Sequence, residues 1–312
     1  MKNVVITGGT SSIGIPTIAL CIKNGINVYA LVRKNSPYIS SIPKSPNVNL
    51  IYCDLKNIKD SVNSINVKCD VFFHFAWEVT KYNSDKDYNH ESHYNNIQYA
   101  IDCVYTANAL GCGKFINSGS QAEYGLQSAV ITPLTETNPL THYGKAKLDS
   151  SKEIRRLCRD LDIIHIWTRI FSAYGAHDNK PTLVNYVIDS ILNNQKLQLT
   201  KCEQIWNYIY TDDVALALYL MAEKSCEENT YCVGGNECKP LKEYVNEIKD
   251  IINPDFTVEF GAVEYTNSQL MNLKVDISKL KQELNFEQSV SFEQGIRQTL
   301  AWRLNKKMQA CN

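Results

Sequence analysis

Short apolar runs rich in β-branched residues alternate, over the first half of the chain, with segments whose apolar residues recur at helical spacing. The runs at 3–7, 27–32, 48–53, 70–75, 114–117 and 163–170 read as buried strands. The segments 13–24, 58–66, 88–110 and 143–160 read as helices between them. This βαβ rhythm predicts an α/β fold: a doubly wound parallel sheet covered on both faces. After about Gly175 the alternation breaks, with helices near 181–193, 211–223, 241–252 and 292–304 separated by short strand-like pieces. The pattern therefore divides the chain into a sheet domain, 1–174, and a smaller mixed α/β lobe, 175–312, walling a cleft at the carboxyl ends of the strands.

Composition narrows the class. At 312 residues and 44% apolar, the chain supports a large core. Lys plus Arg at 32 against Asp plus Glu at 33 leaves a net charge of −1, so neither nucleic acid nor an anionic membrane is expected as a partner. A small molecule is. Eleven Cys without a Cys-x-x-Cys pair fit free thiols in a reducing compartment. The chain opens on a strand-like run rather than a charged-then-apolar leader, and no apolar stretch nears the roughly 18 residues of a membrane span, so a cytoplasmic location is expected. His74 ends an apolar strand and His165 lies inside one; no His, Cys or acid spacing resembles a metal site, and no metal is expected.

The turn after the first strand reads TGGTSSIG, residues 7–14. A strand, a Gly-rich turn and a helix in that order present backbone N–H groups to a pyrophosphate, with Gly8, Ser11, Ser12, Ile13 and Gly14 as the candidates; this is the arrangement of a Rossmann-type dinucleotide site. The plainer alternative is a tight turn with no ligand. Ser11 stands where the middle Gly of such a turn usually is, and its hydroxyl, with that of Ser12, is placed to reach a phosphate. About 20 residues on, NAD sites carry an acid for the adenosine ribose. Here Val32 occupies that neighbourhood, followed by Arg33 and Lys34. Cations there pair with a 2′-phosphate and favour NADP over NAD, although a solvated charge pair at a strand end would read the same.

SGSQAEYG at 118–125 and YGKAK at 143–147 carry the remaining chemistry. Tyr143 and Lys147 lie four apart on one helix face, so the ammonium favours the phenolate and makes the tyrosine an acid or base near neutral pH. Spacing alone does not select them, because Tyr52 with Lys56 and Tyr82 with Lys86 repeat it. Position does: Tyr143 opens the helix after the fifth strand, and Ser120 lies just past that strand's end, able to donate to the oxygen that Tyr143 protonates.

With TGGTSSIG, CDL at 53–55, HFAW at 74–77, NNIQ at 95–98, SGSQAEYG, YGKAK and NYIYTDDVALAL at 207–218 in this order, the chain resembles an extended short-chain dehydrogenase/reductase of the NAD-dependent epimerase/dehydratase group acting on nucleotide sugars, over nearly its whole length. The resemblance implies that Gly8, Ser11 and Gly14 line the pyrophosphate, that Asp54, beside Leu55, meets the adenine, and that Ala76 lies along the far side of the cofactor. It implies a triad of Ser120, Tyr143 and Lys147, with Lys147 also on the nicotinamide ribose and Asn96 fixing the helix beside the site. Taken alone, Asp54 reads equally well as a helix N-cap. The stretch near 205–222 would return from the second lobe to pack on the first. The family's habit implies a homodimer through the helices at 88–110 and 143–160.

Members that dehydrate the sugar carry Asp-Glu directly after the active-site hydroxyl, where this chain has Gln121-Ala122; Glu123 falls one residue later, where its side chain is expected to point elsewhere. That leaves NADPH-dependent reduction of a 4-keto nucleotide sugar, which Arg33 and Lys34 favour, or 4-epimerisation on retained NAD. SGSQAEYG also resembles the abequose type of nucleotide-deoxysugar synthase. A third possibility, a silent dinucleotide sensor, is marked in such relatives by loss of the Tyr or Lys, and both are present. Trp206–Tyr208 and Thr182–Tyr186 offer groups for the nucleotide, while Trp77 and Tyr124 read either as sugar contacts or as packing.

Overall fold

The computed structural model describes residues 1–79, 90–178, 180–224, 227–266 and 269–311. The pair Tyr82 and Lys86, and residues 88 and 89 of the expected 88–110 helix, lie outside them.

Seven strands form one parallel sheet: β1 (Asn3–Thr7), β2 (Asn27–Val32), β3 (Val48–Tyr52), β4 (Val71–His74), β5 (Lys114–Ser120), β6 (Ile164–Ile170) and β10 (Asn229–Val233), in the order β10-β6-β5-β4-β1-β2-β3. Alternation sorts their side chains. Val4, Ile6, Phe73, Ile116 and Ile166 face α1 (Gly14–Lys23) and α5 (Thr211–Lys224). Val5, Phe72 and Phe115 face α2 (Asn95–Ala109) and α3 (His142–Asp160). Helices on both faces bury the inner strands, hence their near-continuous apolar runs, while the edge strand β3 keeps Leu50 and Tyr52 exposed.

Residues beyond 174 complete this sheet. Helix α5 packs against α1, and β10 pairs with β6 along its whole length, Asn229 opposite Ile166 through Val233 opposite Ile170. The remaining elements form a second core: β7 (Ser172–Tyr174), β9 (Ile205–Tyr210) and β11 (Cys238–Pro240) make a three-stranded sheet, and β8 (Leu197–Leu199) pairs with β12 (Val258–Phe260). Helices α4 (Leu183–Leu192), α6 (Leu241–Ile252) and α8 (Phe292–Cys311) close over Tyr174, Tyr210, Tyr244 and Phe292, while α7 (Ser278–Leu284) packs on α5.

Local departures have local causes. The expected helix at 58–66 is a 3-10 helix, Leu55–Ser64, broken at Asn57 and capped by Asp54, whose carboxylate accepts from Lys56 N at 3.2 Å. Strand β5 runs on through Ser118–Ser120, residues of weak strand propensity, because β6 offers Thr168–Ile170 as partners. The nine cysteines from Cys21 to Cys238 whose side chains are described are free, and most are buried; the partly exposed Cys53 thiol is pushed up to about 11 by burial and then by Asp54 and Asp60. No helix among the described residues is long and apolar enough to cross a membrane.

Candidate active site at the carboxyl ends of the strands

The β1–α1 turn is built close. Gly8 has φ +71°, and a Cβ there would stand 2.8 Å from Ala76 N, so the turn and the segment after β4 touch backbone to backbone. Ser11 Oγ accepts from Gly14 N, the first residue of α1, at 2.9 Å, which leaves the hydroxyl proton to donate outward. Ser12 and Ile13 stand half-buried at the helix start, ahead of any intrahelical acceptor, and the first turn carries no acid. These donors fit a diphosphate group. Past β2, Val32 is buried while Arg33 and Lys34 are exposed in a turn closed by Ser36 N donating to Arg33 O. Ser36 Oγ also donates to Thr10 Oγ1 at 3.2 Å, so this turn abuts the Gly-rich one. Asp54 is exposed and Leu55 half-buried at the end of β3. Ala76 N donates to Thr7 Oγ1.

Asn96 spends its amide on backbone: Oδ1 accepts from Glu78 N at 2.6 Å, and Nδ2 donates to Glu78 O and His93 O. It ties the segment after β4 to the start of α2.

Ser120 ends β5 and caps a short 3-10 helix, Gln121–Glu123. Its Oγ accepts from Ala122 N at 3.1 Å, so the hydroxyl proton remains for another acceptor. Thr141 caps α3 through Gly144 N. A Cβ on Gly144 would lie 2.5 Å from Ala122 O, so only glycine lets the first turn of α3, carrying Tyr143, sit against the turn carrying Ser120.

Lys147, one turn further on and 4% exposed, donates from Nζ to Ser118 O at 2.6 Å. Its Nζ lies 3.8 Å from the centre of the Trp77 ring and 5.9 Å from that of Tyr143. Trp77 and His93 both meet the Tyr143 ring edge to face, and Trp77 Nε1 donates to His93 Nδ1 at 3.0 Å. Burial lowers Lys147 to about 7 against the pull of Glu123, which raises it, and with the help of Lys180. His74, also buried, is pushed down to about 3 by burial and then by Lys147, so it stays neutral.

Ser120, Tyr143 and Lys147 are thus brought to one end of the sheet. Trp77 belongs there; Tyr124 is fully buried beside Phe171 and is packing. Sequence reasoning missed His93 and Arg169; it named Glu123 only as pointing elsewhere, and that side chain is buried against Arg169. The Ser120-x-x-Glu123 spacing is that of a capping box and could have flagged Glu123. Among the described residues, no group of three or more His, Cys, Asp or Glu converges on a metal position.

The chain resembles known proteins in sequence and in fold. The family model described as NAD dependent epimerase/dehydratase matches residues 4–234. A dTDP-glucose 4,6-dehydratase of Escherichia coli is 27% identical over 57% of this chain, a match that spans 52% of that relative. A CDP-abequose synthase of Yersinia pseudotuberculosis is 26% identical over 86% of this chain and 90% of its own. Among solved structures, an epimerase from Methanothermobacter thermautotrophicus superposes with a TM-score of 0.87 at 20% identity, covering 99% of this chain and 94% of that one, a likeness of fold.

Proposed function

Because the chain belongs to the NAD dependent epimerase/dehydratase family, we propose that it reduces the 4-keto group of a nucleotide-linked deoxysugar with NADPH. The relatives named for dTDP- and CDP-linked sugars support a nucleotide-linked substrate. The observation that carries reduction lies at the end of β2, where two exposed cations follow Val32 beside the Gly-rich turn. Dehydration is disfavoured at the next turn: Gln121 and Ala122 hold no carboxylate, and Glu123 is turned back into the protein.

Gly8, Ser11, Ser12, Ile13 and Gly14 would hold the diphosphate, Arg33 and Lys34 the 2′-phosphate, Asp54 and Leu55 the adenine end, and Ala76 and Lys147 the nicotinamide end, with Asn96 acting from behind. Bound there, the dinucleotide supplies a hydride to the sugar's C4. Tyr143 gives its proton to the oxygen as charge develops, and the Lys147 ammonium stabilises the phenolate left behind. Ser120, its lone pair engaged by Ala122 N, donates to the same oxygen. We assign a homodimer face to α2 and α3, which pack side by side.

The test is to look for dinucleotide retained on the purified protein, then titrate the cofactor-free form with NADPH and NADH in parallel. Binding of NADPH tighter by roughly tenfold or more, lost in the Arg33→Ala, Lys34→Ala double variant, is expected. Retained NAD and indifference to the phosphate would overturn it in favour of a 4-epimerase, a reading consistent with the same Ser120, Tyr143 and Lys147.

A further inference from the structure

Directly behind Ser120 lies a buried ion pair that the reaction as described does not use. Glu123 is fully buried. Its Oε1 accepts the Ser120 backbone N–H at 2.7 Å, both oxygens accept from Trp167 Nε1 at 3.0 Å, and Oε2 accepts Arg169 Nε at 2.8 Å. Arg169 in turn donates to Tyr124 OH and Pro133 O. The pair is therefore oriented: one carboxylate oxygen meets the amide of Ser120, and the guanidinium meets the other oxygen and the loop beyond.

A buried charge pair is weak support for stability, because desolvation offsets most of the attraction. Burial raises the Glu123 carboxyl against the opposing pull of Arg169, and Arg169 itself is held protonated by that carboxylate against burial. An apolar side chain in its place would leave the Ser120 N–H and the Trp167 Nε1–H without an acceptor, so the carboxylate serves the turn that carries Ser120.

We propose that Glu123 is a positioning residue for the reaction: from behind Ser120 it fixes that hydroxyl through the backbone N–H, and it supplies the negative charge for the ammonium of Lys147, which binds Ser118 O on the same strand. The capping box leaves Ser120 Oγ bound to Ala122 N on one side and the Ser120 amide bound to Glu123 on the other, so the hydroxyl proton has the sugar side left to it. Among the described residues, Lys147 Nζ meets Ser118 O and the rings of Trp77 and Tyr143, while Glu123 after β5 and Lys180 after β7 act on it through their charge and His74 on β4 feels its charge in turn. His74 is neutral and Lys180 repels, so Glu123 is the charge among these that retains the proton. The proposal rests on the roles of Ser120 and Lys147 given above.

The test follows Lys147 in the full chain labelled with 13C at the lysine Cε, its resonance assigned by Lys147→Met, in the native protein, in Glu123→Gln, and in Glu123→Gln combined with Arg169→Met. The double variant leaves no guanidinium buried without a partner, so the test stands even where the single variant fails to fold. In the folded variants the Lys147 midpoint is expected to fall by ~0.5–1 pH unit, and the Ser120 amide proton to move upfield as its carboxylate acceptor disappears. Glu123→Asp, which retains the charge, should restore part of the midpoint. A folded variant in which neither signal moves overturns the proposal. Neither readout needs turnover, so failure of the reductase assignment shows separately, as a native protein that oxidises no NADPH while its Lys147 still responds to Glu123.

Discussion

Lys147 is held at about 7 chiefly by burial, which costs the folded state something to keep it charged. In ketone reduction the ammonium is the useful form, because it stabilises the phenolate that Tyr143 becomes. A pH series should therefore show kcat/KM for reduction falling as pH rises through about 7; a flat profile to pH 9 would refute the role. The same burial predicts that Lys147→Met abolishes turnover yet stabilises the fold by about 1–3 kcal/mol, after losing the bond to Ser118 O and the contact with Trp77. The native pKa lies below the unfolded one, so below about 7 both states are protonated and the penalty is complete; it fades between there and 10.5. The gain in thermal stability should thus be largest below pH 7 and vanish at high pH, and a variant that melts lower than the native protein at pH 6 would show the premise wrong. The four-residue spacing made Tyr143 and Lys147 legible in the sequence. The surroundings that tune them were not: Trp77 and His93 reach Lys147 and Tyr143 from segments 50 or more residues away, brought together by the end of β4 and the start of α2.

At the scale of elements, the site is an agreement between two turns. The one after β5 carries Ser120, the one opening α3 carries Tyr143, and they meet where Gly144 faces Ala122 O. Gly144→Ala should push them apart, costing about 1–3 kcal/mol and a larger share of activity, since a shift of under an ångström spoils proton transfer while leaving the fold standing. Thermal melts and kcat measured together check this, and unchanged kcat in the variant would mean the contact is incidental. The sequence marked β1 and β2 to the residue because both are apolar runs bounded by polar turns. It stopped β5 at Asn117, short of the catalytic serine, since Ser118, Gly119 and Ser120 join the strand only through pairing with β6, and pairing is invisible to local pattern. Asp54 shows the converse: its local role, the cap, was readable from its neighbours alone.

For the molecule as a whole, the break in rhythm after residue 174 marks where strands and helices stop alternating, which differs from where the sheet domain stops. Helix α5 covers α1 with Val214, Ala217, Leu218 and Met221, all essentially buried, and β10 adds Tyr231 and Val233 to the same core. These arrive after a detour through β7, α4, β8 and β9, elements that build the other lobe. A chain cut at Tyr174 would leave Ile18 on α1 and Ile116 and Ile166 on the sheet uncovered, together with an unpaired β6 edge. Residues 1–174 alone are accordingly expected to show no cooperative thermal transition and to aggregate, whereas the full chain melts as one unit. A sharp melt in that fragment would mean α5 and β10 are accessories rather than parts of the core. The interleaving has a functional corollary. Because Cys232 of β10 touches Tyr124, and Tyr124 receives Arg169, the returning strand braces the turn that holds Ser120.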